Sequence, residues 1–335
     1  MLSAGINIGY GHTKIRTGKQ YITFPSVSAP ANKTFTGLGL DRKTRIVHLK
    51  GMDYEVGQDA SLLTTDLLGG KVCRPRWLDS IPYQTFRQAT IDILYEQAES
   101  QEQEWAVVLG IAVEHFKNEA YVERMRDSWL GDHKTSDGKP IRINMAHVVP
   151  EPMGAYWSLV LSDKELKQRS KQSTVLVVDL GYFTTDWIGI YDNRLNPALS
   201  SGKNIGMYDL YLELQKHLQS THGLTMDLVR LESMVRENRP LHIHGQDIAL
   251  EHVLSPAKEK VMPKIVNAFL QGIGDGAGDQ LLIFLTGGGA SLLEPYLREA
   301  MDHVEIFRSG DSQRDNADGY YMLAQVMQQS VQEKS

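Results

Sequence analysis

Two stretches of this chain spell nearly the same turn. Asn7 to Ile15 reads NIGYGHTKI, and Asp179 to Trp187 reads DLGYFTTDW. Aligned without a gap, Asn7 stands against Asp179, Gly9 against Gly181, Tyr10 against Tyr182 and Thr13 against Thr185. In each copy an apolar run enters a glycine-containing bend and a second run leaves it, the pattern of a β-hairpin. Two such starts about half a chain apart point to two similar α/β domains facing each other. Chance likeness of two hairpins is the competing explanation, because Gly turns between strands are common. A chain of 335 residues is also longer than one ordinary core, so two domains are the default.

The rest of the chain follows the same plan twice. Ala4 to Ile8, HTKIRT and QYITF read as three strands, the last ended by Pro25, and Arg45 to Gly57 reads as a further hairpin. Helical spacing of Phe86, Ala89, Ile91, Leu94 and Ala98 predicts a helix over Pro82 to Glu102. Trp105 to Val113 is a nearly continuous apolar run, suited to a strand buried on both faces. A charged helix is expected over Glu119 to Trp129, then a turn at SDGKP and the strand IRINMAHVV. A second cycle opens with a helix over Pro152 to Leu161. Three strands follow in STVLVVDLGYFTTDWIGIYDNRLNPALSSG, then helices over IGMYDLYLELQKHLQ, Met226 to Arg236 and Asp247 to Ile273. LLIFLTGGGASLLEPYLREAM reads as strand, glycine turn and helix, and NADGYYMLAQVMQQ as the closing helix.

Composition narrows the function classes. Net charge is −6, which argues against a dedicated nucleic-acid binder. The single cysteine, Cys73, excludes a disulfide framework and a Cys-based metal site, and no motif around it marks it as reactive. No apolar run approaches the ~20 residues that span a bilayer, and the N-terminus lacks the regions of a signal peptide. The expected location is therefore the cytoplasm. His115, His133 and His147 lack metal-ligand spacing and read as surface or core positions; so does the HIHG run at His242 to Gly245.

Four segments carry candidate chemistry. A tight turn whose N–H groups converge binds anions, and glycine lets the backbone come close. Asp179, Gly181, Tyr182, Phe183, Thr184 and Thr185 thus combine a phosphate clamp, two hydroxyls and a carboxylate able to hold a metal through water. Asn7, Gly9, Tyr10, Gly11, His12, Thr13 and Lys14 form a second clamp, with Lys14 to balance phosphate charge. For either turn alone, an ordinary hairpin is the competing reading. Gly287, Gly288 and Gly289 join a strand to a helix, where backbone can pass close to a flat ring and the helix N-terminus favours an anion; a plain helix-entry loop is the alternative. Glu151 lies between Pro150 and Pro152 at the junction of the two halves, a rigidly held carboxylate able to position an attacking water.

Taken in order, hairpin clamp, junction carboxylate, hairpin clamp and Gly-rich turn resemble the actin/Hsp70/sugar-kinase superfamily of ATPases. Arg314 to Gln325, RDNADGYYMLAQ, resembles that superfamily's returning helix. INIGYGHTK, FPS at Phe24 to Ser26, LGIAVEHF at Leu109 to Phe116 and NADGYY are similar to segments of the ParM/StbA-like plasmid-segregation actins. The cassette-encoded PRTRC system protein D group is a further resemblance within that set. The resemblance implies an actin-like fold: two similar domains, each a mixed sheet flanked by helices, with a nucleotide cleft between them. Residues 1–150 with 310–335 are expected to form one domain and 151–309 the other.

What the resemblance implies for function is an ATPase, with GTP as the alternative nucleotide and Mg2+ as the metal. Asp179 would hold Mg2+ through water, Asn7 weakly, and Glu151 would orient the water that attacks the γ-phosphate. The main chain and hydroxyls of the two turns would clamp the phosphates, and Gly287 to Gly289 would accept adenine and ribose. The implied partners are further copies in a head-to-tail filament and a small DNA-binding adaptor on a centromere-like plasmid site, with no direct nucleic-acid or membrane contact. One departure stands out: the family has Asp where this chain has Asn7, so slower hydrolysis is expected. Two other classes stay open. A metabolic kinase of the same fold would need a substrate-binding base, for which no signature stands out; a nucleotide-binding scaffold would bind without turnover.

Overall fold

The computed structural model describes residues 1–31, 45–58, 60, 78–98, 103–243, 245–274 and 281–332. Cys73 and His244 lie outside the described residues, as do the last residues of the helix expected to reach Glu102. The chain divides into two compact units, residues 1–163 with 314–335, and residues 164–313.

The first unit runs through strands β1 (Leu2–Ile8), β2 (His12–Thr17), β3 (Tyr21–Pro25), β4 (Ser28–Pro30), β5 (Arg45–Leu49) and β6 (Met52–Val56), then helix α1 (Ile81–Gln97). Strand β7 (Glu104–Ile111), helices α2 (Val113–Phe116) and α3 (Glu119–Trp129), strands β8 (Gly131–Lys134) and β9 (Pro140–Pro150) and helix α4 (Pro152–Ser162) follow. The second unit holds helix α5 (Lys164–Ser170), strands β10 (Thr174–Leu180), β11 (Thr185–Tyr191) and β12 (Arg194–Lys203), and helices α6 (Met207–His222) and α7 (Leu228–Arg236). It continues through β13 (Leu241–Ile243), β14 (Gln246–Ile248), α8 (Leu250–Ile273), β15 (Leu281–Thr286), α9 (Ala290–Ala300) and β16 (Glu305–Arg308). The chain then returns to the first unit as α10 (Asp315–Gln332).

The repeat is one of topology as well as letters. The first sheet has the order β3-β2-β1-β7-β9-β8 and the second β12-β11-β10-β15-β16. In both, two antiparallel hairpins lead into a parallel run. Register agrees too: Asn7 faces Lys14 and Ile8 faces Thr13, as Asp179 faces Asp186 and Leu180 faces Thr185. Chance does not give two sheets this shared order and register.

Periodicity explains the central strands. β2 alternates buried and half-buried positions, whereas β1, β7 and β10 are buried along nearly their whole length because both faces are covered. Val107 and Leu109 of β7 pack with Phe86, Leu94 and Trp129 on one face, and Val108 packs with Tyr320 on the other. The second core gathers Leu176, Val178, Trp187, Leu214, Phe269 and Leu285. Helix starts carry the expected caps: Ser80 accepts from Tyr83 N in α1, Asn118 from Tyr121 N in α3 and Asp227 from Arg230 N in α7.

Several expectations shift. The helix expected from Asp247 begins at Leu250, because Gln246–Ile248 pair with Leu241–Ile243. The unit boundary falls at 163/164, not 150/151. Helix α4 stays with the first unit because it packs against α10: a Cβ on Gly319 would stand 1.8 Å from Gly154 O, and Ala155 N donates to Asn316 Oδ1 at 3.0 Å. No described helix is long and apolar enough to cross a membrane.

Candidate functional site

In the first unit, β1, β7 and β9 are parallel, so Ile8, Ile111 and Pro150 end on the same edge of the sheet. That edge, outside the carboxyl ends of the strands, is where open α/β sheets bind ligands. The Gly9–Gly11 bend lies there. A Cβ on Gly9 would stand 3.1 Å from His12 O and 3.4 Å from Asn7 Oδ1, so the turn folds tightly back over Asn7. Asn7 is 3% exposed, and its Oδ1 has no hydrogen-bond partner among the described residues. A buried acceptor without a donor is costly, and an ammonium or a metal-bound water would satisfy it. Lys14, its cross-strand partner, lies on the same face. Glu151 follows β9 directly. Its N–H donates to Ile111 O at 2.8 Å, and its carbonyl accepts from Tyr320 Oη at 2.7 Å. Tyr10 and Glu151 line one narrow recess with Ile8, Gly110, Ala112 and His115, so the turn and the carboxylate come together.

The second unit's turn is anchored by a helix. Gly181 N donates to Thr184 O at 2.9 Å, while Gly181 O and Tyr182 O accept from Met207 N at 3.1 Å and Tyr208 N at 2.8 Å. Because α6 begins against the turn, only glycine fits at Gly206, where a Cβ would stand 2.7 Å from Tyr182 O. The peptides here are trans, so each N–H points opposite to its carbonyl. The carbonyls of Gly181 and Tyr182 face α6; the N–H groups of Tyr182 and Phe183 therefore point away from it. Two consecutive N–H groups of this kind make an anion nest. The Phe183 ring is buried between Tyr182 and Tyr208, at centroid distances of 4.7 and 4.8 Å. Tyr182 and Phe183 thus offer a ligand their main chain.

Asp179 is 6% exposed and faces Asp186 across the ladder, a second buried carboxylate that sequence reasoning missed although it stands in the repeat position of Lys14. The triple-glycine turn closes over Asp179. Gly287 adopts φ +91°, and a Cβ there would stand 2.2 Å from Asp179 Oδ1. A Cβ on Gly289 would stand 2.5 Å from the Leu180 side chain, and Gly289 N donates to Leu180 O at 3.1 Å. Ser312 holds the turn from the other side: its carbonyl accepts from Thr286 Oγ1 at 3.0 Å and Gly287 N at 3.1 Å. Two of the three glycines are therefore required by close packing of the protein itself, and Gly288 alone of the three faces open space.

The two repeated threonines depart from expectation. Thr13 is fully buried, with Oγ1 3.0 Å from Ser26 Oγ, and Thr185, 1% exposed, donates to Ile205 O at 2.8 Å. Neither hydroxyl reaches a ligand surface; half-buried Thr184 is the one left on its turn. Beneath that turn, burial raises the carboxyl of Glu232 on α7 to about 7. Burial, and after it the Glu232 charge, pushes the Tyr182 and Tyr211 hydroxyls up, and Tyr182 Oη has no partner among the described residues.

Among the described residues no group of three or more His, Cys, Asp or Glu could hold a metal directly. Within the second unit, the buried carboxylates of Asp179 and Asp186 instead suit an ion that keeps its waters; within the first, the unsatisfied Asn7 oxygen suits a bound water or an ammonium. Two of the histidines have protein partners: His133 bonds Trp129 O at 2.7 Å and Arg87 at 3.2 Å, and His242 bonds Asp247 at 2.9 Å.

Comparisons with known proteins agree with this geometry. A structure of the archaeal actin homologue Ta0583 matches with a TM-score of 0.75 at 19% identity, covering 98% of this chain and 100% of that one. The same protein in complex with ADP matches at 0.71 with 19% identity, over 97% and 100% of the two chains. A 15-stranded ParM filament from Clostridium botulinum gives 0.73 at 17% identity, over 97% and 99%. At these identities the likeness is one of fold. No curated protein sequence matches. The family of actin-like protein N-terminal domains matches residues 5–154, and that of the C-terminal domain of archaeal MreB-like actin homologues matches residues 177–299. With both halves accounted for, the chain belongs to the actin-like proteins.

Proposed function

We propose that this protein binds and hydrolyses ATP and assembles head to tail into filaments that move plasmid DNA through a DNA-binding adaptor. The observation that carries the reading is the Gly181–Thr184 turn, which spends its carbonyls on α6 and turns two N–H groups away, directly after a buried carboxylate. Phosphate oxygens suit those N–H groups and the Thr184 hydroxyl. In the first unit, Gly9 to His12 and Lys14 do the same work with an ammonium in place of a second carboxylate. Asp179, and Asn7 more weakly, would hold the waters of Mg2+, which when bound supplies positive charge at the phosphates. Glu151 holds and orients a water through its carboxylate, accepting a proton from it as the water attacks. Gly288 is the open position of the glycine turn and the one left for the base or ribose.

Two relatives support separate parts of the reading: a Clostridium botulinum ParM was solved as a filament, which bears on assembly, and Ta0583 with ADP, which bears on nucleotide binding. A chain added head to tail leaves a fresh copy of the same surface, so growth does not close on itself. The test is phosphate release and sedimentation in the same tube, with ATP or GTP and Mg2+. ATP-dependent pelleting with phosphate release supports the proposal; absence of both across salt and Mg2+ concentrations refutes it. A second reading, binding without useful turnover, is favoured by the amide at Asn7. It predicts nucleotide binding and pelleting with negligible phosphate release.

A further inference from the structure

The start of α4 is built in an unusual way. In an uninterrupted first turn, Ala155 N would close onto Glu151 O. Here Ala155 N donates to Asn316 Oδ1 at 3.0 Å, and Glu151 O accepts from Tyr320 Oη at 2.7 Å. Gly154 N also donates to Glu151 O, at 3.3 Å. Asn316 and Tyr320 are four residues apart on α10, so both side chains leave one face of that helix. Between them they hold both ends of the first turn of α4. With Glu151 N held by Ile111 O, the peptide groups on both sides of Glu151 are fixed from outside its own helix.

The surroundings are cut to fit this contact. A Cβ on Gly110 would stand 2.1 Å from Tyr320 Oη, and one on Gly154 would stand 2.5 Å from the Tyr320 ring and 2.3 Å from Asn316 O. Both side chains are buried, Tyr320 at 0% exposure. A phenylalanine ring would fill the same space, so packing explains the ring and not the hydroxyl. The repeat offers no equivalent device for Asp179, which sits inside a strand and needs none.

We infer that Asn316 and Tyr320 are positioning residues for Glu151: they set the backbone that aims its carboxylate, without touching the nucleotide. This rests on the proposed role of Glu151 in hydrolysis, and two readouts separate the claims. Tyr320→Phe and Asn316→Ala are compared with wild type and with Ser200→Ala, which removes a buried hydroxyl of the second unit that bonds Gly189 N and Asn196 O. The first readout is amide hydrogen exchange over residues 151–155 in the full chain. Either α10 variant is expected to speed it about tenfold at unchanged global stability relative to Ser200→Ala. The second is steady-state phosphate release, where kcat is expected to fall about tenfold with KM within twofold of wild type. Unchanged exchange in Tyr320→Phe overturns the inference, as does a kcat loss no larger than that of Ser200→Ala. If wild type releases no phosphate, the function proposed for Glu151 fails, and the exchange readout alone decides whether the pair positions its backbone.

Discussion

The two hairpin turns share a backbone and differ in charge. A Cβ on Gly9 would stand 3.1 Å from His12 O, and one on Gly181 would stand 3.2 Å from Thr184 O. The residues around them face each other in the same register, yet one pair is Asn7 and Lys14 and the other Asp179 and Asp186. The shared part is main chain, which binds an anion whatever the side chains. The divergent part sets the local charge: an amide with an ammonium in one unit, two buried carboxylates in the other. Under the proposed function, the first turn would balance phosphate charge and the second would hold the metal's waters.

Four substitutions strain that comparison, in falling order of effect. Gly287→Ala forces a Cβ onto Asp179 Oδ1 in a left-handed backbone, and the first turn has no glycine loop of this kind over Asn7 among the described residues. It should destabilise the second unit by about 3 kcal/mol and abolish nucleotide binding, read by denaturant melting and a fluorescent-nucleotide titration. A well-folded variant that binds normally would detach the glycine turn from Asp179.

Glu232→Gln comes next. Burial raises the folded-state value to about 7, above the ordinary carboxylate value of the unfolded chain. Between those limits the folded state holds a proton that the unfolded state has released, so stability falls as pH rises across that window. The glutamine should remove this slope and gain on the order of 2 kcal/mol above neutral pH. Melts at pH 5 and pH 8 check it; equal slopes in both proteins would show that the carboxyl titrates normally.

Thr13→Val and Thr185→Val should have the smallest effect. Each removes a hydroxyl committed within its own unit, at a cost of about 1–2 kcal/mol. Nucleotide affinity should stay within twofold for both. A large affinity loss in either would return that hydroxyl to the phosphates.

These threonines also show where sequence reading stops. The hairpins, their repeat, the glycine turn and the carboxylate before α4 all follow from local letters, because turns and strand periods are local. The destination of a hydroxyl is not. Thr13 finds Ser26 across a strand, and Thr185 finds Ile205 beyond the end of the next strand. The same holds for Asn316 and Tyr320, which meet α4 across more than 160 positions of chain. The short strands β4, β8 and β16 went unread because three or four residues carry too little alternation. Helix α4 reads from the sequence as the start of the second unit, whereas it belongs to the first, because its partner α10 is the last helix of the chain.

Reciprocal swaps at the repeated position where an amide stands against a carboxylate are the most direct test. Phosphate release at saturating ATP and Mg2+ is measured for wild type, Asn7→Asp and Asp179→Asn. The account predicts about a tenfold gain for Asn7→Asp with nucleotide affinity little changed, and loss of turnover for Asp179→Asn. No acceleration by Asn7→Asp, or normal turnover by Asp179→Asn, would contradict it.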